Sequence, residues 1–323
     1  MAIPESSTSA STTTPSLTRV DARDASTTAD LVQEILERDG AVIVTNLLSR
    51  EQAEQIRRDL KPHFDADGGD KSGFFPNTTR RAIGLLGKSA TCVDLALNPL
   101  FNEVAARLLT SKFEYWIGQE RQVAVSKPQI SSTVGFQVNP GSRQQGLHRD
   151  DIDYHVREGH ESVLIGCVAA TVKTTRENGA TIIIPGSHLW KDDRCPYDHE
   201  AVPAELEPGD ATFFLGSTYS SLPSSNKAAP GFETFLTTLR APHRESELKP
   251  TVRKQGPGSG DRMYRQVENQ YLTVPPSVAS SLPKKAQRLL GYGVSPPFCG
   301  FAGDYKDPMQ ELFGVVDAET VVL

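Results

Sequence analysis

Cysteine is scarce and scattered: the 323 residues contain four, Cys92, Cys167, Cys195 and Cys299, none in a Cys-x-x-Cys pair. That spacing excludes a disulfide framework, and reduced thiols are expected. Positive charge is not in surplus either, since 34 Lys and Arg against 40 Asp and Glu leave a formal charge of -6. With no basic face evident, nucleic acid is not an expected partner. No stretch approaches the roughly 18 uninterrupted apolar residues of a membrane span. The opening residues, Met1 to Thr28, are rich in Ser and Thr and lack the apolar centre of a secretory signal. These absences predict a cytoplasmic protein without a membrane partner, preceded by a disordered leader over residues 1–28. No internal repeat is apparent.

The 25 Gly and 22 Pro, with 37% hydrophobic residues, suit a β-rich protein with many turns. One jelly roll with helical flanks fits the length, so a single domain is expected over residues 29–323. Leu31, Val32, Ile35 and Leu36 predict an amphipathic helix that Gly40 ends, and Ala41 to Val44 predicts a short buried strand. Ser49 and Gln52 form a capping-box pattern for a second helix through Leu60. Residues 65–81 suggest a long polar loop in which Arg80 and Arg81 could meet an anionic ligand at a pocket rim; a solvated connection is the bland alternative. Val93, Leu97, Leu100, Val104 and Leu108 have near-helical spacing, with Pro99 early in a second helical segment. From Phe113 to Val138 two-residue alternation predicts the start of a barrel. Residues 241–262, rich in Pro and Gly, suggest an insertion between two strands.

The chemistry concentrates in Gly141 to Asp151, where His148 and Asp150 stand two apart. On an extended segment such a pair points to one side. With a distant second His it would form the 2-His-1-carboxylate face of a non-haem iron site. A lone His-x-Asp has little specificity. His155 and His160 fall in a polar loop, where exposed histidines are the ordinary case.

The ordered set is more specific. His148-x-Asp150 is followed by Glu177-Asn178-Gly179, Pro185-Gly186-Ser187-His188, Glu207-Pro208-Gly209-Asp210 and Glu268-Asn269-Gln270-Tyr271. This series resembles the phytanoyl-CoA dioxygenase-like family, in particular its branch of fungal secondary-metabolite oxygenases, over roughly residues 30–305. The resemblance implies a double-stranded β-helix, a jelly roll of cupin-like type with flanking amino-terminal helices. It implies Fe(II) and 2-oxoglutarate as cofactors, a small-molecule substrate of polycyclic or aromatic kind, and a homodimer in which the carboxyl-terminal segment reaches toward a neighbour. It assigns His148 and Asp150 to the metal, and Gln145 and Thr181 to the cosubstrate.

The chain departs from the family at two anchors. Where the family has Tyr-His, supplying the second metal His, this sequence reads Tyr219-Ser220; where it has an Arg for the far carboxylate of 2-oxoglutarate, this sequence has Ala229. His188 belongs to a structural turn and His243 to the insertion, so neither is well placed as a substitute. Three readings follow. One is an oxidising tailoring enzyme with an altered iron site. The second is a redox-neutral isomerase or cyclase without cofactor, using His148, Asp150, Tyr219 or the Ser220 and Ser221 hydroxyls as acid, base or hydrogen-bond donors. The third is a non-catalytic binding homologue.

Overall fold

The computed structural model describes residues 16–69, 77–154, 163–222, 232–240, 273–294 and 306–316. The first ordered segment corrects the expected leader. Strand β1 (Arg19–Asp21) pairs in parallel with β2 (Ala41–Thr45), and Leu17 is buried. Thr18 fastens the segment by donating from Oγ1 to Asp39 Oδ2 at 2.9 Å. The disordered leader therefore does not reach Thr28. A parallel pairing partner some twenty residues downstream is invisible to local composition.

Helix α1 (Ala29–Asp39) opens on Thr28, whose side chain accepts from the Leu31 N–H, and closes on Gly40 at φ 79°. Helix α2 (Arg50–Asp65) opens on the capping box of Ser49 and Gln52, both halves of which form. Its buried stripe is Ala53, Ile56, Leu60 and Phe64. The expected polar loop is shorter than residues 65–81, because Thr79 to Ile83 form strand β3. Helices α3 (Ala90–Ala96) and α4 (Pro99–Leu109) follow, Asn98 capping the second and Pro99 taking its first turn, where a missing N–H costs nothing.

Strands β4 (Ser111–Ile117) and β5 (Glu120–Ser126) do not begin the barrel. Among the described residues they pair only with each other, as a hairpin apart from the main sheets. The alternation there is genuine strand periodicity, but it does not identify the sheet to which a strand belongs.

The larger sheet has seven strands in the order β1-β2-β10-β7-β12-β6-β3, where β6 is Gln129–Val138, β7 Leu164–Ala170, β10 Ala211–Leu215 and β12 Phe232–Arg240. A smaller sheet orders β11 (Ser220–Ser221), β8 (Ile182–Ile183) and β9 (Val202–Pro203). All described pairings except β1 with β2 are antiparallel. Among the described residues the sheets are open rather than closed into a cylinder.

Side chains alternate between two cores. Val42, Val44, Cys167, Ala169, Ala211, Phe213 and Leu215 face α1 to α4. The intervening Ala41, Ile43, Val168, Ala170 and Phe214 meet Ile183 and Val202 of the smaller sheet and Leu206 just beyond it. The helices therefore brace one face of the large sheet, and the other face fronts the small sheet. Short helices α5 (Pro276–Ala279), α6 (Lys284–Leu289) and α7 (Pro308–Phe313) add Ala279, Leu289 and Met309 to the helical core, with Val274 and Tyr292 flanking them. The insertion at 241–262 and the carboxyl-terminal residues from 317 lie outside the described residues, as do His155, His160, Ala229 and His243.

Candidate active site

His148 and Ser220 form an isolated antiparallel bridge: the His148 N–H donates to Ser220 O at 3.0 Å and the Ser220 N–H donates to His148 O at 2.9 Å. Residues directly opposite in an antiparallel bridge send their side chains to the same face, with Cβ atoms about 4.5–5.5 Å apart. Ser220 in turn pairs with Ile183, which packs in the core between the sheets. The face shared by His148 and Ser220 is therefore the inner one. Asp150 follows at the first position of a 3-10 turn through Tyr154.

The His148 ring is fixed from behind. Nδ1 lies 2.9 Å from Gly146 O, and because a carbonyl only accepts, Nδ1 carries the proton. Nε2 then faces Asp150 Oδ1 at 3.4 Å. A metal-ligating His ordinarily donates its other N–H to a carbonyl or carboxylate in this way. Donors about 2.1 Å from one ion, subtending somewhat more than a right angle, stand about this far apart. The His148 side chain is 36% exposed and that of Asp150 22%, so both are open to a small ligand. The hydrogen bond that the protonated ring donates to Asp150, joined by the carboxylate's charge and by the Gly146 carbonyl, raises the His148 pKa above its ordinary value against the cost of partial burial.

Thr181 precedes Ile183 by two and so shares its inner side. Its Oγ1 is buried without a hydrogen-bond partner, a hydroxyl still able to bond to a ligand. Gln145 is held through its backbone: its N–H donates to Leu222 O at 3.0 Å and its carbonyl accepts from Ser221 Oγ at 2.8 Å. His148, Asp150, Thr181 and the Gln145 backbone are thus gathered around one edge of the small sheet.

Tyr219 does not join them. Adjacent to Ser220 on an extended segment, it turns to the other face and packs with Leu147, Trp190, Ile182 and Ile184. Its ring lies 6.0 Å from that of Trp190 and 4.4 Å beneath the Arg149 guanidinium. The expectation that Tyr219 acts beside His148 is corrected on that ground. Ser221 spends its hydroxyl on Gln145 O and is not a free donor.

Arg149 is the residue that sequence reading passed over. It is 3% exposed and donates from Nη2 to Ser187 O at 2.9 Å and to Trp190 O at 3.0 Å, with Asp192 3.2 Å from Nη1. Standing between His148 and Asp150, it points the opposite way and pins the Pro185-Gly186-Ser187-His188 turn and Tyr219 behind the site. The alternation of an extended His-x-Asp segment carried that signal. His188 is structural, as expected: it is 6% exposed and its Nε2 lies 2.9 Å from Glu37 O at the end of α1.

At the expected rim, Arg81 pairs with Phe136 and shares its face, while Arg80 points to the other side of β3. Both are engaged by Asp67, whose carbonyl accepts from Arg80 and whose carboxylate accepts from the Arg81 N–H at 2.8 Å.

Residues 36–221 match the phytanoyl-CoA dioxygenase (PhyH) family. The chain belongs to that family. It is 33% identical over 307 residues to the dioxygenase peniF of Penicillium patulum, covering 92% of each chain. It is 32% identical to the dioxygenase himG of Aspergillus japonicus, covering 88% of each. Among solved structures, the non-haem α-ketoglutarate-dependent carbocyclase SnoK of nogalamycin biosynthesis aligns with a TM-score of 0.51 at 16% identity, over 72% of this chain and 94% of that one, a likeness of fold. This chain is a dioxygenase-like enzyme acting on a small molecule, and the family uses iron and 2-oxoglutarate.

The donor set only half fits that metal. His148 and Asp150 are in place, Ser220 occupies the inner-face position opposite His148, and no group of three or more His, Cys, Asp or Glu able to hold a metal occurs among the described residues. A three-ligand protein centre does not fit these residues. Also among the described residues, no helix is long and apolar enough to cross a membrane.

Proposed function

We propose that this protein is a secondary-metabolite tailoring enzyme that oxidises a polycyclic or aromatic small molecule at an altered iron site, with 2-oxoglutarate as cosubstrate. His148 and Asp150 are the protein's two metal donors, the large and small sheets are the two walls of a double-stranded β-helix, and the chain is one domain. The observation that carries this reading is the His148–Ser220 bridge. It keeps the backbone frame of a facial iron site, and the Nδ1–H bond to Gly146 O keeps the imidazole in the tautomer a ligand needs. When bound, iron with 2-oxoglutarate supplies oxidising power. The chain's own residues do the rest: Gly146 aims Nε2, Arg149 holds the turn behind it, and the Thr181 hydroxyl offers a hydrogen bond to a ligand carboxylate.

A second reading has its own support. Nε2 and Asp150 Oδ1 at 3.4 Å can share a proton, and the carboxylate favours the protonated ring. Such a pair can donate and retrieve a proton in a redox-neutral isomerisation or cyclisation.

Anaerobic addition of Fe(II) and 2-oxoglutarate separates the readings. A visible charge-transfer band and succinate release on admitting oxygen support the altered iron site. Turnover unaffected by chelator and by oxygen removal supports proton transfer. Ligand binding without turnover would leave a binding homologue.

A further inference from the structure

The bridge at the candidate active site joins two side chains of unequal reach. His148 and Ser220 exchange both backbone hydrogen bonds and face the same way. The serine stops just past Cβ, where the ring of a histidine would begin. A ring-sized space on the inner face therefore adjoins His148 Nε2 and Asp150 Oδ1, which lie 3.4 Å apart with both side chains open to a small ligand.

The surroundings of Ser220 suit a flat, mostly apolar ring with one polar edge. Leu222, two residues on and on the same side, packs with Phe136, Val138 and Val172. Ser220 pairs with Ile183, so Thr181 stands diagonally across from it on that face. Thr181 Oγ1 is buried without a hydrogen-bond partner. A hydroxyl can accept a ring N–H while it donates elsewhere, so Thr181 and Ser220 can both serve such an edge.

Charge decides what the ring presents to the other side. Asp150 and one cosubstrate carboxylate already balance a divalent ion, so a further anionic donor would leave a partly buried net charge. A neutral, unprotonated ring nitrogen avoids that cost, and imidazole nitrogen suits iron and its neighbours in the series.

We propose that the substrate itself supplies the donor this chain lacks: it carries a neutral aromatic nitrogen heterocycle of imidazole size, whose ring lies beside Ser220 and whose unprotonated nitrogen joins His148 and Asp150. This inference rests on the altered-iron reading of that pair and adds the class of molecule the site takes.

Co(II) titration of the intact protein above neutral pH, with imidazole or pyrrole present, tests it without turnover. Pyrrole has a similar ring but no free nitrogen lone pair. Imidazole is expected to tighten Co(II) binding by the wild type at least about fivefold, and Co(II) to tighten imidazole binding by the same factor. Pyrrole should do neither. Ser220→Ala keeps the space and should retain most of the coupling, whereas Ser220→Leu fills it and should lose the coupling. Equal effects of the two rings, no coupling in the wild type, coupling that survives Ser220→Leu, or equal loss in both variants would each overturn the proposal. Should Ser220→Leu fail to fold, Ser220→His takes its place: its own ring occupies the space, and coupling as large as in the wild type would count against the proposal in the same way. His148→Ala separates this inference from the reading beneath it. If that variant binds Co(II) as the wild type does, the pair is no metal site and both fall; if it loses Co(II) while imidazole adds nothing to the wild type, this inference alone falls.

Discussion

Replacing Ser220 with His should convert the half-complete donor set into a metal centre. The bridge puts the new Cβ about 4.5–5.5 Å from that of His148 on the same face, and two imidazoles at that separation can each reach an ion at about 2.1 Å. Structural zinc bound by four side chains gains about 10–16 kcal/mol, or about 3 kcal/mol for each ligand. At about 1.4 kcal/mol per factor of ten, the added imidazole should tighten binding about 100-fold. Titration with Co(II), followed calorimetrically and by its visible absorption, reads this without any turnover. It belongs above neutral pH, because a proton on Nε2 of His148 competes with the ion. Asp150→Ala in the Ser220→His background should return the affinity to the starting level, and free imidazole should partly imitate the substitution in the wild type. Equal Co(II) affinity for wild type and Ser220→His would refute the reasoning. So would tight wild-type binding abolished by His243→Ala, since the chain would then carry its third ligand already.

Other outcomes follow from the same structure. Leu17→Ala should cost about 2–3 kcal/mol in urea denaturation, and no loss would return the segment to a leader. Gly40→Ala should destabilise by about 2 kcal/mol or more. Gly40 has φ +79°, and an added Cβ would meet Thr218 Oγ1 at 2.5 Å and His188 Nδ1 at 2.6 Å; thermal unfolding measures the loss. Asp39 has its pKa lowered chiefly by Arg38, with Thr18 helping against burial. Its contribution is therefore present above its ordinary value of 3.8 and is lost as pH falls through the depressed one. The urea midpoints of wild type and Asp39→Asn should converge over that acid range. Among the described thiols, exposed Cys195 should react with a disulfide reagent in the native protein, whereas Cys92, pushed up to about 12 by burial, and Cys167, pushed up further, should react only on unfolding.

Local chemistry made much of the framework legible. Ser49 with Gln52 and Gly40 mark helix ends by hydrogen bonds and a left-handed turn made within a few residues, so their signals survive in isolation. The His148 and Asp150 corner was legible for a similar reason, since both come from one short segment. What escaped depends on distant partners. Leu17 and β1 are ordered only because β2 lies alongside, and β4 and β5 have strand periodicity without belonging to the main sheet. Tyr219 is a chemically apt acid or base, but adjacent residues on an extended chain face opposite ways, so it leaves the side that Ser220 shares with His148. Arg149 was missed because its partners lie some forty residues downstream.

The pairing of β2 with β10 also bears on how this chain is made. Ala41 to Val44 line up with Phe214 to Ala211, so a strand completed early in synthesis waits for about 170 further residues before its antiparallel neighbour exists. Until then an apolar ribbon with one open edge leaves the ribosome attached only to β1 and its own helices. Nascent chains halted before Ala211 should therefore be the most prone to aggregate, and the interval is one that holdase chaperones would have to cover.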